Sequence, residues 1–220
     1  MCHSLKRAEL APGVGIIGSE AFNQCFQLRD VSIPDSVRAI GAKAFQQCSM
    51  LASVATSGQV EHKAFYLCTS LNTAKVGGDV GTEAFRGCTS LQAVEVGGSV
   101  GFAAFFDCAS LASVSLTGPV IGEAAFNLCS ALVRLDMPKG VECIGKDAFC
   151  NCTSLKSVSV ADGVLIIPND LQHVRTGARL RPNLQPHSPS ATVIYRFIVI
   201  VSPFRSAAEV LDIGPPSPSH

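Results

Sequence analysis

The chain has ten cysteines and five histidines, the residue types best able to act as nucleophiles or metal ligands. Cys143, Cys150 and Cys152 are close enough in sequence to suggest a metal or redox cluster. Their spacing is not Cys-x-x-Cys, however, and no histidine lies nearby in sequence to complete a zinc set. Gly13-Val14-Gly15-Ile16-Ile17-Gly18 spells the dinucleotide fingerprint. That motif needs a preceding strand, a long following helix and an acidic residue about 20 positions on. Leu10 and Asp35 stand at tolerable distances, but Pro34 precludes an ordinary long helical crossover. His62 beside Glu61 has no implied nucleophile. Asn151-Cys152-Thr153 meets the glycosylation sequon, which matters only in an exported chain. No acid, base and nucleophile converge, so the expectation is a protein that is not an enzyme and takes no cofactor or metal.

Composition narrows the partners without naming one. Lys plus Arg and Asp plus Glu both number 17, so no global field draws the chain to nucleic acid or an anionic membrane. The longest apolar run, Val193 to Val201, is interrupted by Arg196 and is about half the roughly 20 residues of a spanning helix. No membrane-spanning segment is expected. Met1 to Leu10 carries charges and no apolar h-region, so no export signal is visible. The default expectation is a cytoplasmic protein, or a surface or secreted one if the amino terminus is incomplete.

Most of these residues belong to a repeating element. An Ala-Phe pair recurs at Phe22, Phe45, Phe65, Phe85, Phe105, Phe126 and Phe149, in steps of 23, 20, 20, 20, 21 and 23 residues. Three positions after each Phe stands Cys25, Cys48, Cys68, Cys88, Cys108, Cys129 or Cys152, and three further on a Leu. The spacing of three suits a short helical turn. Beyond each Leu come mostly apolar positions two apart, such as Val94 and Val96, which is strand spacing. Return loops often carry Gly, as at Gly58, Gly77, Gly97 and Gly118, where a tight corner is expected to need positive φ.

Ile17-Gly18-Ser19-Glu20-Ala21-Phe22, followed by Cys25, Leu28, Val31, Ile33 and Pro34, resembles the BspA-type leucine-rich repeat. The resemblance covers about three quarters of the chain. It implies a parallel β-solenoid with a binding role, often at cell surfaces, and no catalytic residues. The expected fold is an α/β solenoid, an array of about eight coils with a parallel β-sheet on one face and short helical turns on the other. One coil offers about six apolar side chains, each worth roughly 1.5–3 kcal/mol when buried. Ordering its backbone costs about 1–2 kcal/mol per residue, so a single coil cannot fold alone. Stacking puts the cysteines in a column, where a buried Cys serves as a small apolar residue. Parallel side chains about 4.8 Å apart disfavour bridging, so most thiols are expected to be free, with Cys150 the most reactive.

Cys2, Leu5, Ala8 and Leu10 hold the same register, so Met1 opens in the middle of a coil. That reads either as a fragment of a longer array or as a first coil without its cap. The solenoid is expected over residues 1–167, and a Pro-rich, partly disordered tail over 168–220. Within that tail the β-prone run at 192–201 could add a strand, pack on the solenoid end, or aggregate.

Function then falls to the outward side chains of the strands. They are Arg7 and Glu9, Asp30 and Ser32, Ser53 and Ala55, Thr73 and Lys75, Ala93 and Glu95, Ser113 and Ser115, Arg134 and Asp136, Ser157 and Ser159. The candidate protein-binding residues are Asp30, Ser32, Thr73, Lys75, Glu95, Ser113, Ser115, Arg134, Asp136, Ser157 and Ser159, with Lys75/Glu95 and Arg134/Asp136 as charged patches. Large aromatic or Arg anchors are sparse there, so a merely solvated face is the competing reading. The expected role is a non-catalytic protein-interaction scaffold. The alternatives are a surface-recognition protein and a regulatory segment of a longer signalling protein.

Overall fold

A computed structural model describes residues 2–137, 140–159, 165–166 and 198–200. Eight short strands line one side of the array as a wide parallel ladder, hydrogen-bonded in three sheets. Those strands are β1 (Arg7–Glu9), β3 (Asp30–Ser32), β5 (Ser53–Thr56), β7 (Thr73–Val76), β8 (Ala93–Val96), β9 (Ser113–Leu116), β11 (Arg134–Asp136) and β13 (Ser157–Ser159). A second, narrow parallel ladder lies on another side. It is built from β2 (Ile16–Ile17), β4 (Ala39–Ile40), β6 (Gln59–Val60), β10 (Val120–Ile121), β12 (Cys143–Ile144) and β14 (Leu165–Ile166). Val80 and Val100 continue it as single bridges between Val60 and Ile121. Within the β-prone run at 192–201, Ile198–Ile200 forms β15 and pairs antiparallel with β13. The rest of the expected tail lies outside the described residues.

The core is the set of columns read from the sequence. Phe45, Phe65, Phe85, Phe105 and Phe126 are fully buried, as are the column residues Leu28, Leu51, Leu71, Leu91, Leu111 and Leu132. Consecutive Phe rings from Phe22 to Phe149 stack with centroids 5.0–5.5 Å apart and nearly parallel planes. Burying each ring against its copies removes large apolar areas from water, the dominant favourable contribution to stacking.

Two expectations about the architecture need correction. The Ala-Phe-x-x-Cys segment is not helical, and no helix occurs among the described residues. Residues two before and two after each Phe have positive φ, as at Lys43 (56°) and Gln47 (60°) around Phe45. This left-handed conformation breaks an α-helix. The amides of Lys43, Phe45 and Gln47 donate to carbonyls of the next coil, those of His62, Ala64 and Tyr66. The alternate amides of Ala44, Gln46 and Cys48 close turns onto the carbonyl three residues back. Non-glycine residues in this conformation cost about 1–3 kcal/mol, which the inter-coil hydrogen bonds help offset. The solenoid also has about seven turns rather than eight coils, because the Ala-Phe corner occurs seven times.

The return-loop glycines need correction as well. Gly58, Gly77, Gly97 and Gly118 do not have positive φ; among the described glycines only Gly13 and Gly87 do. They are glycine because coils approach closely. A Cβ at Gly97 would lie 2.2 Å from the Gly77 carbonyl oxygen, and one at Gly118 2.0 Å from that of Gly98.

Candidate functional site

The wide ladder places the outward positions side by side. Ser53, Thr73, Ala93 and Ser113 are in register across four strands, and so are Ala55, Lys75, Glu95 and Ser115. Arg7 pairs with Asp30 and Glu9 with Ser32 across β1 and β3. At the other end Arg134 stands in register with Ser157, and Asp136 with Ser159. Apart from half-buried Ala93, the outward side chains from Arg7 to Arg134 are exposed. Lys75 Nζ lies 2.9 Å from Glu95 Oε2, with the side chains 69% and 61% accessible. The hydrogen bond and charge of Glu95 raise the Lys75 pKa. A pair this open contributes little to folding, which leaves both charges available to a partner.

The opposite corner carries the larger side chains that sequence reasoning overlooked. Tyr66, Arg86 and Phe106 each follow a core Phe and stand half-buried in successive coils. The Arg86 guanidinium sits over the Phe106 ring at 4.6 Å, and Lys63 Nζ over Tyr66 at 5.5 Å. Glu83 bonds both Lys63, at 3.0 Å, and Arg86. Partial burial works against the Glu83 carboxylate, but hydrogen bonds from Lys63 and Arg86 hold its pKa below the ordinary value. The signal was present at the position after each Phe, but a short exposed helical turn had been assigned there.

The cysteine column has a role beyond volume. Cys48, Cys68, Cys88, Cys108, Cys129 and Cys152 each donate their S–H to the carbonyl of the preceding coil's Phe, at 3.1–3.3 Å. All ten cysteines are free. Burial pushes the Cys48, Cys88 and Cys152 thiols up to about 12 and raises Cys68, Cys108 and Cys129 well above their ordinary value. Such thiols are poor nucleophiles. Cys143 and Cys150 are half-buried and Cys2 is exposed, so accessibility favours Cys2 over Cys150, the thiol expected to be most reactive.

The remaining motifs are absorbed by the coil. In the glycine motif Ile16–Ile17 is β2 and Gly18 leads into a turn corner instead of a helix. His62 is exposed, its Nδ1 3.1 Å from the Thr82 carbonyl, and the neighbouring Glu61 carboxylate accepts from the Ala42 amide. Asn151 donates from Nδ2 to Asn127 Oδ1 at 3.1 Å. No group of three or more His, Cys, Asp or Glu that could hold a metal occurs among the described residues. No helix among them is long and apolar enough to cross a membrane.

Comparison with known families agrees with this geometry. The BspA type Leucine rich repeat region matches residues 1–91 and 59–172, in 6 copies. The chain belongs to this family. Among solved structures, this BspA-type array is similar to a leucine-rich repeat protein from Bacteroides ovatus, at 29% identity and a TM-score of 0.67 over 75% of this chain. It is also similar to a leucine rich cell surface protein from Faecalibacterium prausnitzii, at 26% identity and a TM-score of 0.58 over 70% of this chain. The chain covers 45% and 47% of those two proteins, about half of their lengths. No curated protein matches it.

Proposed function

We propose that this BspA-type array is a non-catalytic scaffold that binds another protein on its wide-ladder face. One observation carries the reading. Four strands in unbroken register present Ser53, Thr73, Ser113 and Ser115 as a floor of small residues, with Lys75 and Glu95 rising from it. Such a floor lets a partner backbone approach closely, while the two charges fix its orientation. Asp30 and Ser32 extend the face at one end. The positions of Arg134, Asp136, Ser157 and Ser159 extend it at the other.

A surface-recognition version of this role is favoured by the likeness to the Faecalibacterium cell surface protein. Residues 1–167 then act as the recognition body, and the tail from 168 is a separate segment.

Site-specific photocrosslinking tests the face. A photoreactive residue at Thr73 or Ser115 in the full chain should capture protein from a surface fraction, while one at Arg86 on the corner should not. Capture from the corner alone, or from neither, rejects the wide face. Lys75→Glu with Glu95→Lys should weaken capture without unfolding the array, and reversing Arg134 and Asp136 tests the second patch in the same way.

A further inference from the structure

The wide ladder is interrupted twice. Among the described residues β3 does not pair with β5, and β9 does not pair with β11. The remainder of the solenoid crosses both junctions intact. On the narrow ladder β4 pairs with β6 over the first junction, and Val100 bridges Ile121 over the second. The Phe column is equally continuous, with centroids 5.0 Å apart from Phe22 to Phe45 and 5.2 Å from Phe105 to Phe126. Each junction is therefore closed at the corner, while on the wide face it keeps a bond at the strand entrance, Ala52 to Arg29 or Ala131 to Ala109, and loses the strand pairing.

Burial is lower on one side of each junction. Val31 in β3 and Val114 in β9 point inward beside a junction and are only half-buried. Across the junctions Val54 in β5 and Leu135 in β11 are buried, as are Ala74 and Val94 within the middle sheet. The cause lies in coil length. The step from Phe22 to Phe45 is 23 residues and the next three are 20, after which the steps lengthen to 21 and 23. Strands β5, β7, β8 and β9 have four residues each, whereas β1, β3, β11 and β13 have three. At the first junction Pro34, lacking an amide and fixed in φ, follows one residue after β3, so the chain turns away before a fourth ladder position.

We infer that the solenoid is three plates hinged at these two seams. The rigid middle plate is β5-β7-β8-β9, the flanking plates carry β1-β3 and β11-β13, and the Phe column is the common spine. Small rotations about the spine open or close the wide face at Ser32/Ala55 and at Ser115/Asp136, changing its curvature without disturbing the core. A parallel ladder resists such rotation through hydrogen bonds along the strands; at the seams the strands themselves are unpaired, and only bonds at their entrance remain, from the Ala52 amide to the Arg29 carbonyl and from Ala131 to Ala109. The inference concerns the fold and stands whether or not the face binds protein.

Hydrogen exchange on the unmodified chain tests it. Amides of β3, β5, β9 and β11 should exchange roughly tenfold or more faster than those of β7 and β8. Ala39–Ile40, Gln59–Val60 and the Phe45 and Phe126 amides should remain as slow as Phe85. Uniform protection along the wide ladder overturns the seams. Parallel loss of protection in both ladders overturns the hinge in favour of coils fraying from the ends. A fixed gap is separated from a hinge by cysteines at Ser32 and Ala55, with Cys2, Cys143 and Cys150 replaced by Ser. Bis-maleimides of several lengths should all bridge a hinge, and bridging by one length alone rejects it.

Discussion

The Sγ of Cys88 donates to the carbonyl oxygen of Phe65 in the preceding coil at 3.1 Å. That oxygen also accepts the amide of Cys68 from its own coil at 3.2 Å. One carbonyl thus joins the turn of its own coil to the side chain of the next. Cys88→Ala removes the thiol donor and leaves a void among fully buried neighbours, at a cost of about 1–2 kcal/mol. The half-buried Cys150 lies outside the column, and Cys150→Ala should be close to neutral. Urea denaturation of the two variants decides the point: equal midpoints would reduce the column to simple filling.

The same column predicts how the protein responds to alkali. Burial raises the Cys88 and Cys152 thiols from 9.0 to about 12. Between those values the folded chain holds protons that the unfolded chain has released, so stability falls as pH rises. The contribution is fully present below about pH 9 and is lost progressively toward pH 12. Thermal midpoints should therefore drop steeply above pH 9. At pH 8 a maleimide should label at most Cys2, Cys143 and Cys150 in the folded chain, and all ten cysteines after denaturation. Labelling of more than three sites under native conditions contradicts the burial.

Glycine positions offer a matched pair. A Cβ at Gly97 meets the Gly77 carbonyl at 2.2 Å, while one at Gly18 meets nothing within 4 Å. Neither residue has positive φ, so the contrast isolates steric approach from backbone freedom. Gly97→Ala must push two coils apart and should cost about 3 kcal/mol or more, whereas Gly18→Ala should fall within about 0.5 kcal/mol of the parent. Calorimetric midpoints of the two variants provide the comparison, and similar values would discard the close-approach explanation.

How much of this could be read from the chain differs by level. The Phe, Cys and Leu columns and the alternation of the wide strands follow from side-chain identity at fixed spacing, and Phe65, Phe85 and Phe105 stack as that spacing requires. The corner was misread because apolar residues three apart suit a helical turn and a string of tight turns equally. The choice rests on backbone conformation at Lys63 and Leu67, both at positive φ, and neither side chain signals that preference. Glycine was recognised and its reason missed, since the crowding at Gly97 comes from another coil. The outward residues were placed on the correct face by alternation alone.

Glu83 ties three coils together and gives a prediction of the opposite pH sense. Its carboxylate bonds Lys63 of the preceding coil and Arg86 of its own, and Arg86 lies over Phe106 of the next. Because the folded-state pKa lies below 4.5, the contribution is present above that value and is lost as pH falls through the folded value. Glu83→Gln keeps the size and removes the charge, so it should cost about 1 kcal/mol near neutral pH. The gap between variant and parent should close below pH 4.5, where the parent's own carboxylate takes up a proton. Paired urea titrations at pH 7 and pH 3 check both statements. A gap that persists unchanged at pH 3 would assign the effect to side-chain packing and remove the ionic bridge from the account of this corner.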